Sequence, residues 1–269
     1  MNKKTTFFAK ENLDDRANAF VAARLSAGAL ETYPGTPPAT IKEAYAIQDD
    51  AVEAIGQEIA GWKVGRITGD WESRLGADRL AGPVFSDQLV KFTGDQIDMP
   101  VFSGGFAAIE AEITIVVAKD APEGKTDWSL EDAKTMIKSI HLGVEIASSP
   151  FTGINDHGPL VTISDFGNNY GLILGAEIEN WTSLDPSAWS VTLSIEDREF
   201  GPATPAAMPG GPLESFRFLL ENVTRRGLPI KAGMAICTGA VTGVHIAKVG
   251  EAAVAKCANA EIKCRLTAA

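Results

Sequence analysis

The chain has 269 residues, 45% hydrophobic and 22% charged, enough to bury a large core as one large domain or a small domain beside a large one. A formal net charge of −11 and the lack of any Lys/Arg-rich run argue against a nucleic-acid partner, since no basic face is present to displace counter-ions from phosphates. Cys237, Cys257 and Cys264 form no C-x-x-C pair and read as reduced thiols. The N-terminus carries Lys10, Glu11, Asp14 and Asp15 before any signal-length apolar core, and no apolar run reaches membrane-spanning length, so a soluble cytoplasmic protein is expected.

Residues 14–27 have helical apolar spacing through Phe20, Val21 and Leu25 and stop at Gly28. After the link YPGTPPAT, Thr40 and Glu43 form a capping box. Behind it Ala44, Ile47, Ala51, Ile55 and Ile59 mark a helix that stops near Gly61. Residues 1–60 are thus expected to form an N-terminal helical subdomain and 61–269 a β-rich catalytic domain, an α+β fold.

From Gly61 the period changes. GWKVG reads as a short strand in which Lys63 either snorkels to water or serves as a partly desolvated acid–base group. The polar loop that follows is a lid or a turn with a short helix. Residues 82–92 read as a strand carrying Asp87.

Residues 107–118, AAIEAEITIVVA, read as a strand. Strand alternation puts Glu110 and Glu112 on one face, their Cα atoms about 6.5–7 Å apart, with Ile109, Ala111, Ile113 and Ile115 on the other. A lone E-x-E more often marks a wet strand face than a ligand pair. Here a third carboxylate, Glu145, is embedded in the later strand HLGVEIA, where a charge is costly unless paired or bound to an ion. Three carboxylates without His or Cys favour a hard ion, Mg²⁺ or Mn²⁺.

Residues 129–140 between those strands are expected to be helical. Beyond them, 160–164, 170–178 and 190–196 read as strands, 212–226 as a helix, and 234–238, 244–249, 253–257 and 261–266 as strands again. Asp165-Phe166-Gly167 has no accompanying kinase motif, and no phosphate-binding loop, dinucleotide fingerprint or H-x-x-x-H spacing is present. Thr238-Gly239 at a strand end offers a hydroxyl and amides for a carboxylate, or is simply a strand-ending turn.

Taken in order, TIKEAYAIQ, GWKVG, GPVFSD, IEAEI, GVEIASS, ISDFGNNYG-LILG, GGPLESF and AGMAICTGA resemble the fumarylacetoacetate hydrolase superfamily, in its branch of 2-keto-4-pentenoate hydratases and 4-oxalocrotonate decarboxylases. The resemblance covers nearly the whole chain. It implies rolled mixed β-sheets and a cytoplasmic homo-oligomer of aromatic catabolism, with a complex with a neighbouring pathway enzyme as a further option. It implies Mg²⁺ or Mn²⁺ on Glu110, Glu112 and Glu145, an active-site lysine at Lys63, and Asp87 lining the pocket. Thr238 and Gly239 match a turn that meets the substrate carboxylate, and Asp165 is carried over as a substrate contact from an Asp-Asn pair that reads Asp165-Phe166 here. Met234 and Gly211 are further departures from the pattern. The implied activity is hydration of a 2-hydroxy-2,4-dienoate to a 4-hydroxy-2-oxo acid, with decarboxylation of a 2-oxohexenedioate as the rival. A non-catalytic metal-binding subunit stands further off. So does an acylpyruvate-type hydrolase, because no histidine precedes His141.

Overall fold

A computed structural model describes residues 13–182 and 185–269. The reading of the first twelve residues as no signal peptide therefore lies outside the described residues. Helix α1 (Asp15–Leu25) starts where the Asp14 carboxylate accepts the Arg16 amide. Helix α2 (Ile41–Ile55) starts where the Thr40 hydroxyl accepts the Glu43 amide and Glu43 reaches back to the Ala39 amide. It ends at Gly56, which takes the left-handed conformation at φ 62°, so Ile59 already belongs to the next strand rather than to the helix as expected.

Strand β1 (Ile59–Arg66), helix α3 (Asp70–Leu75), and strands β2 (Arg79–Phe85), β3 (Leu89–Lys91), β4 (Ile97–Val101) and β5 (Phe106–Val117) follow. Next come helix α4 (Leu130–Thr135), strand β6 (Ile137–Ser149), helix α5 (Pro159–Ser164), and strands β7 (Asn169–Glu177), β8 (Val191–Ile195) and β9 (Arg198–Ala203). Helix α6 (Gly211–Arg225) and strands β10 (Ala235–Ala240), β11 (His245–Ile246), β12 (Ala252–Cys257) and β13 (Ala260–Ala268) complete the chain.

Three expectations are corrected. Residues 160–164 are helical: Pro159 occupies the first turn and all five residues are buried, and a short apolar run looks the same in a buried strand or a buried helix turn. The helix expected over 129–140 stops at Thr135, because Ile137 joins the long strand β6 across from Val117. The strand expected over 82–92 is split by a turn between β2 and β3.

Among the described residues the strands form two sheets. The larger runs β2-β1-β10-β5-β6-β7-β3 with β11 also on β5; the smaller runs β4-β13-β12-β8-β9. Between them lies the main core, where Ile109, Ile113 and Ile115 of β5 share a cluster with Leu193, Ile262 and Leu266 of the smaller sheet and with Phe216 and Leu220 of α6. Helices α1 and α2 bury Val21, Ile47 and Ile55 against Phe85 and Phe166 on the far side of the larger sheet. No helix among the described residues is long and apolar enough to cross a membrane.

Candidate metal and acid–base site

Strand β5 lies inside the larger sheet with β10 on one side and β6 on the other. Its isoleucines are committed to the core between the sheets, which fixes Glu110, Glu112 and Thr114 on the opposite face. Cross-strand partners share a face. Glu145 of β6 sits directly opposite Glu110, Cys237 of β10 opposite Thr114, and Lys63 of β1 beside Cys237. Four strands thus deliver one connected polar group.

The sheet must curl for these side chains to meet. Strands β1 and β6 are three spacings apart, about 14 Å in a flat sheet. Lysine and glutamate side chains would bridge that distance only by lying along a flat sheet, whereas side chains stand roughly perpendicular to it. Yet Lys63 Nζ lies 3.3 Å from Glu145 Oε1, with side chains 5% and 0% exposed. Two glycines allow the close packing around the lysine stem: a Cβ at Gly82 would stand 2.0 Å from the Phe166 carbonyl oxygen, so its absence lets that turn lie against β2, and a Cβ at Gly167 would stand 3.1 Å from Lys63 Cδ. Gly167, the glycine of the D-F-G triplet, therefore serves packing, and its φ of +64° is one that a side chain would strain.

The hydrogen bonds leave two carboxylate oxygens over. Glu145 Oε1 accepts from Asn169 Nδ2 at 2.9 Å, and Glu112 Oε2 accepts from the Gly239 amide at 2.8 Å. Glu112 Oε1 and Glu145 Oε2 are buried without a partner, each costing about 1–3 kcal/mol or more if left so. Burial and the neighbouring Glu145 charge push the Glu110 carboxyl up to about 8, and the same two causes raise Glu112 well above the carboxylate range. Burial pulls Lys63 down, but the charges of Glu145, Glu110 and Glu112 outweigh it and hold the ammonium above the usual lysine value. Three ionised carboxylates around one ammonium would leave negative charge unbalanced in a buried site. A divalent cation would satisfy both orphaned oxygens and the excess charge, so the residues present fit one. Among the described residues, one carboxylate oxygen each of Glu112 and Glu145 and the Cys237 sulfur lie within 4.8 Å of one another; Glu110 stands outside that tight group.

A cavity of about 390 Å³ opens on the site, lined among others by Lys63, Arg66, Trp71, Glu110, Thr162 and Asn168. That volume suits a small-molecule substrate. Helix α3 supplies Trp71, whose ring carries the Arg74 guanidinium at 4.3 Å.

No family model matches the chain. A 2-keto-4-pentenoate hydratase of Burkholderia vietnamiensis is 27% identical over 85% of this chain and 88% of that protein. A 2-keto-4-pentenoate hydratase 3 of Pseudomonas putida is 25% identical over 80% and 79%. Among solved structures, the 4-oxalocrotonate decarboxylase from Pseudomonas putida G7 complexed with magnesium and adipate superposes with a TM-score of 0.75 at 21% identity, over 93% of this chain and 95% of that one. The chain therefore shares the fold of this solved structure and is similar in sequence to 2-keto-4-pentenoate hydratases. A fumarylpyruvate hydrolase from Pseudomonas aeruginosa in complex with Mn²⁺ and pyruvate shares the fold more distantly, at a TM-score of 0.57 and 14% identity over 77% and 89%.

In this chain Lys63, Glu110, Glu112, Glu145 and the Gly239 amide come together, and three expected site residues do not join them. Asp87 is exposed and accepts from Gln57 Nε2 at 3.0 Å. It lies five positions past Gly82, the partner of Lys63, or roughly 16 Å of extended chain. Asp165 is fully buried against Arg24, with Nε to Oδ1 at 2.6 Å, and the Arg24 guanidinium also donates to the Asn169 and Ser148 carbonyls. It anchors a core arginine behind the site. Thr238 follows Cys237 by one position and so points to the other face, where its hydroxyl donates to the Ile113 carbonyl at 2.7 Å. Sequence reasoning missed Cys237 and Asn169. Alternation from Thr238 would have exposed the first. The second opens β7 directly after an irregular turn where Phe166 and Asn168 take positive φ, and no periodicity marks it.

Proposed function

We propose that the protein is a divalent-metal-dependent lyase that adds water to a 2-hydroxy-2,4-dienoate to give a 4-hydroxy-2-oxo acid. One observation supports this above the rest: the buried ammonium of Lys63, a residue of the cavity wall, sits 3.3 Å from a buried carboxylate that still has a free oxygen. Glu110, Glu112 and Glu145 would hold the ion, Mg²⁺ or Mn²⁺ in this reading. When bound, the ion supplies electrostatic stabilisation of negative charge developing on the substrate. Lys63 stays protonated beside Glu145 and can deliver its proton to the dienol carbon as the ketone forms, then recover one from the cavity. The Gly239 amide and the Asn169 amide hold Glu112 and Glu145 in place.

A decarboxylase of 2-oxohexenedioates is the second reading. Its support is Arg66, which lines the cavity with its Nε buried and without a hydrogen-bond partner, a cation for a second carboxylate. Purified protein with Mg²⁺ assayed on 2-hydroxypenta-2,4-dienoate and on 2-oxohex-3-enedioate, following dienol absorbance and CO₂ release, separates the two. Lys63→Ala tests both against a mere binder: turnover is expected to fall about 10²–10⁴-fold with metal still bound. Unchanged turnover would refute the acid–base role. A homo-oligomeric, cytoplasmic state belongs to the same proposal, and the exposed apolar side chains of Val244, Ile246 and Val249 suit a subunit contact.

A further inference from the structure

The tightest group of potential ligands differs from the set that spacing suggested. Cys237 takes the place of Glu110 in it. The register explains why: Cys237 pairs with Lys63 on one flank and with Thr114 on the other, and so lies on the carboxylate face of the curled sheet. Its residue is 0% exposed, as are Glu112 and Glu145. The sulfur and the two carboxylate oxygens lie within 4.8 Å of one another. A zinc-like ion with bonds of about 2.0–2.3 Å holds three neighbouring donors about 3.3–4 Å apart, so side-chain adjustments of about 1 Å close the site. The independent sign of a ligand is the pair of buried, unpartnered oxygens, Glu112 Oε1 and Glu145 Oε2, one on each carboxylate of the group. Cys257 and Cys264 are buried as well, but they lie on β12 and β13 of the other sheet, opposite Ala260 and Ala253, inside the apolar core.

We propose that Cys237 Sγ is an inner ligand of this centre, which makes it a mixed sulfur–carboxylate site that binds thiophilic divalent ions such as Cd²⁺ or Zn²⁺ more tightly than Mg²⁺. Hard ions are held through the carboxylates alone; a thiophilic ion adds a sulfur bond. On binding, the thiol proton leaves to the buffer and the sulfur donates an electron pair to the ion, with no change of oxidation state. The inference rests on the reading that Glu112 and Glu145 hold a divalent ion, and it specifies the ion class that site selects.

The test uses the full chain stripped of metal and titrated separately with Cd²⁺ and Mn²⁺. With Cd²⁺, a thiolate-to-cadmium charge-transfer band is expected in the ultraviolet, saturating at one equivalent. Cys237→Ser should abolish the band and weaken Cd²⁺ binding about tenfold or more, while Mn²⁺ binding followed by electron paramagnetic resonance stays as in the wild type. The double variant Cys257→Ser/Cys264→Ser should keep the band, and near-ultraviolet circular dichroism establishes that each variant is folded. Should Cys237→Ser misfold, Cys237→Ala serves in its place. A wild type that binds Mn²⁺ yet shows no band, or a band that survives in Cys237→Ser, overturns the inference and leaves the carboxylate centre standing. Failure to bind either ion overturns both.

Discussion

Glu110 makes the metal-free protein sensitive to alkali. Its carboxyl is pushed up to about 8 in the fold against an ordinary 4.5, chiefly by burial and then by the Glu145 charge. Between those two values the folded chain binds more protons than the unfolded chain, so stability is highest below the lower value and falls as pH rises toward the upper one. At 1.36 kcal/mol for each pH unit of that interval, the full cost is about 5 kcal/mol. For a chain of this size 1 kcal/mol moves the melting temperature by about 2–4 °C, so the fall is about 10–20 °C at most. Glu112 is displaced in the same direction and adds to it. Thermal unfolding in EDTA at about pH 5 and about pH 8.5 reads the effect, and saturating Mn²⁺ should cancel much of it by binding the folded state only. Glu110→Gln should shrink the fall and Glu110→Gln/Glu112→Gln should remove it. A wild type whose melting temperature in EDTA is the same at both pH values, or a double variant that falls as steeply, refutes the reasoning.

Two more predictions address what holds the site. Asn169→Ala removes the amide that fixes Glu145 Oε1 at 2.9 Å; Mn²⁺ affinity should drop about 10–100-fold with the fold intact, as measured by direct titration. Arg24→Met leaves Asp165 buried and unpaired, at a cost of about 3–5 kcal/mol. Its melting temperature should fall by about 10 °C, while Arg24→Met/Asp165→Leu should recover most of that, since replacing both partners leaves no unpaired charge behind. Equal melting temperatures for the two variants would show that the ion pair is not what matters.

Local chemistry made much of this protein legible from the chain alone. The capping pair Thr40–Glu43, the apolar stripe of α6 and the alternation of β5 are set by neighbours within a few residues, and each is found where expected. Lys63, Glu110, Glu112 and Glu145 were legible for a related reason: a charge in an apolar strand is out of place unless something compensates it. The boundary at Thr135 and the helical turn over 160–164 depended on partners distant in sequence and were not.

Which of those charges meet was a matter of register and curvature. No sequence pattern states that Cys237 lies between Lys63 and Thr114, or that a curled sheet brings the β1 lysine to the β6 glutamate; long-range pairing decides both. The same holds for Asp87, Asp165 and Thr238. Residue type made each a plausible site group, and tertiary position spent them on a surface hydrogen bond, a core arginine and a strand carbonyl. Strand alternation tells on which face a side chain emerges, but only the folded sheet sets what stands opposite it.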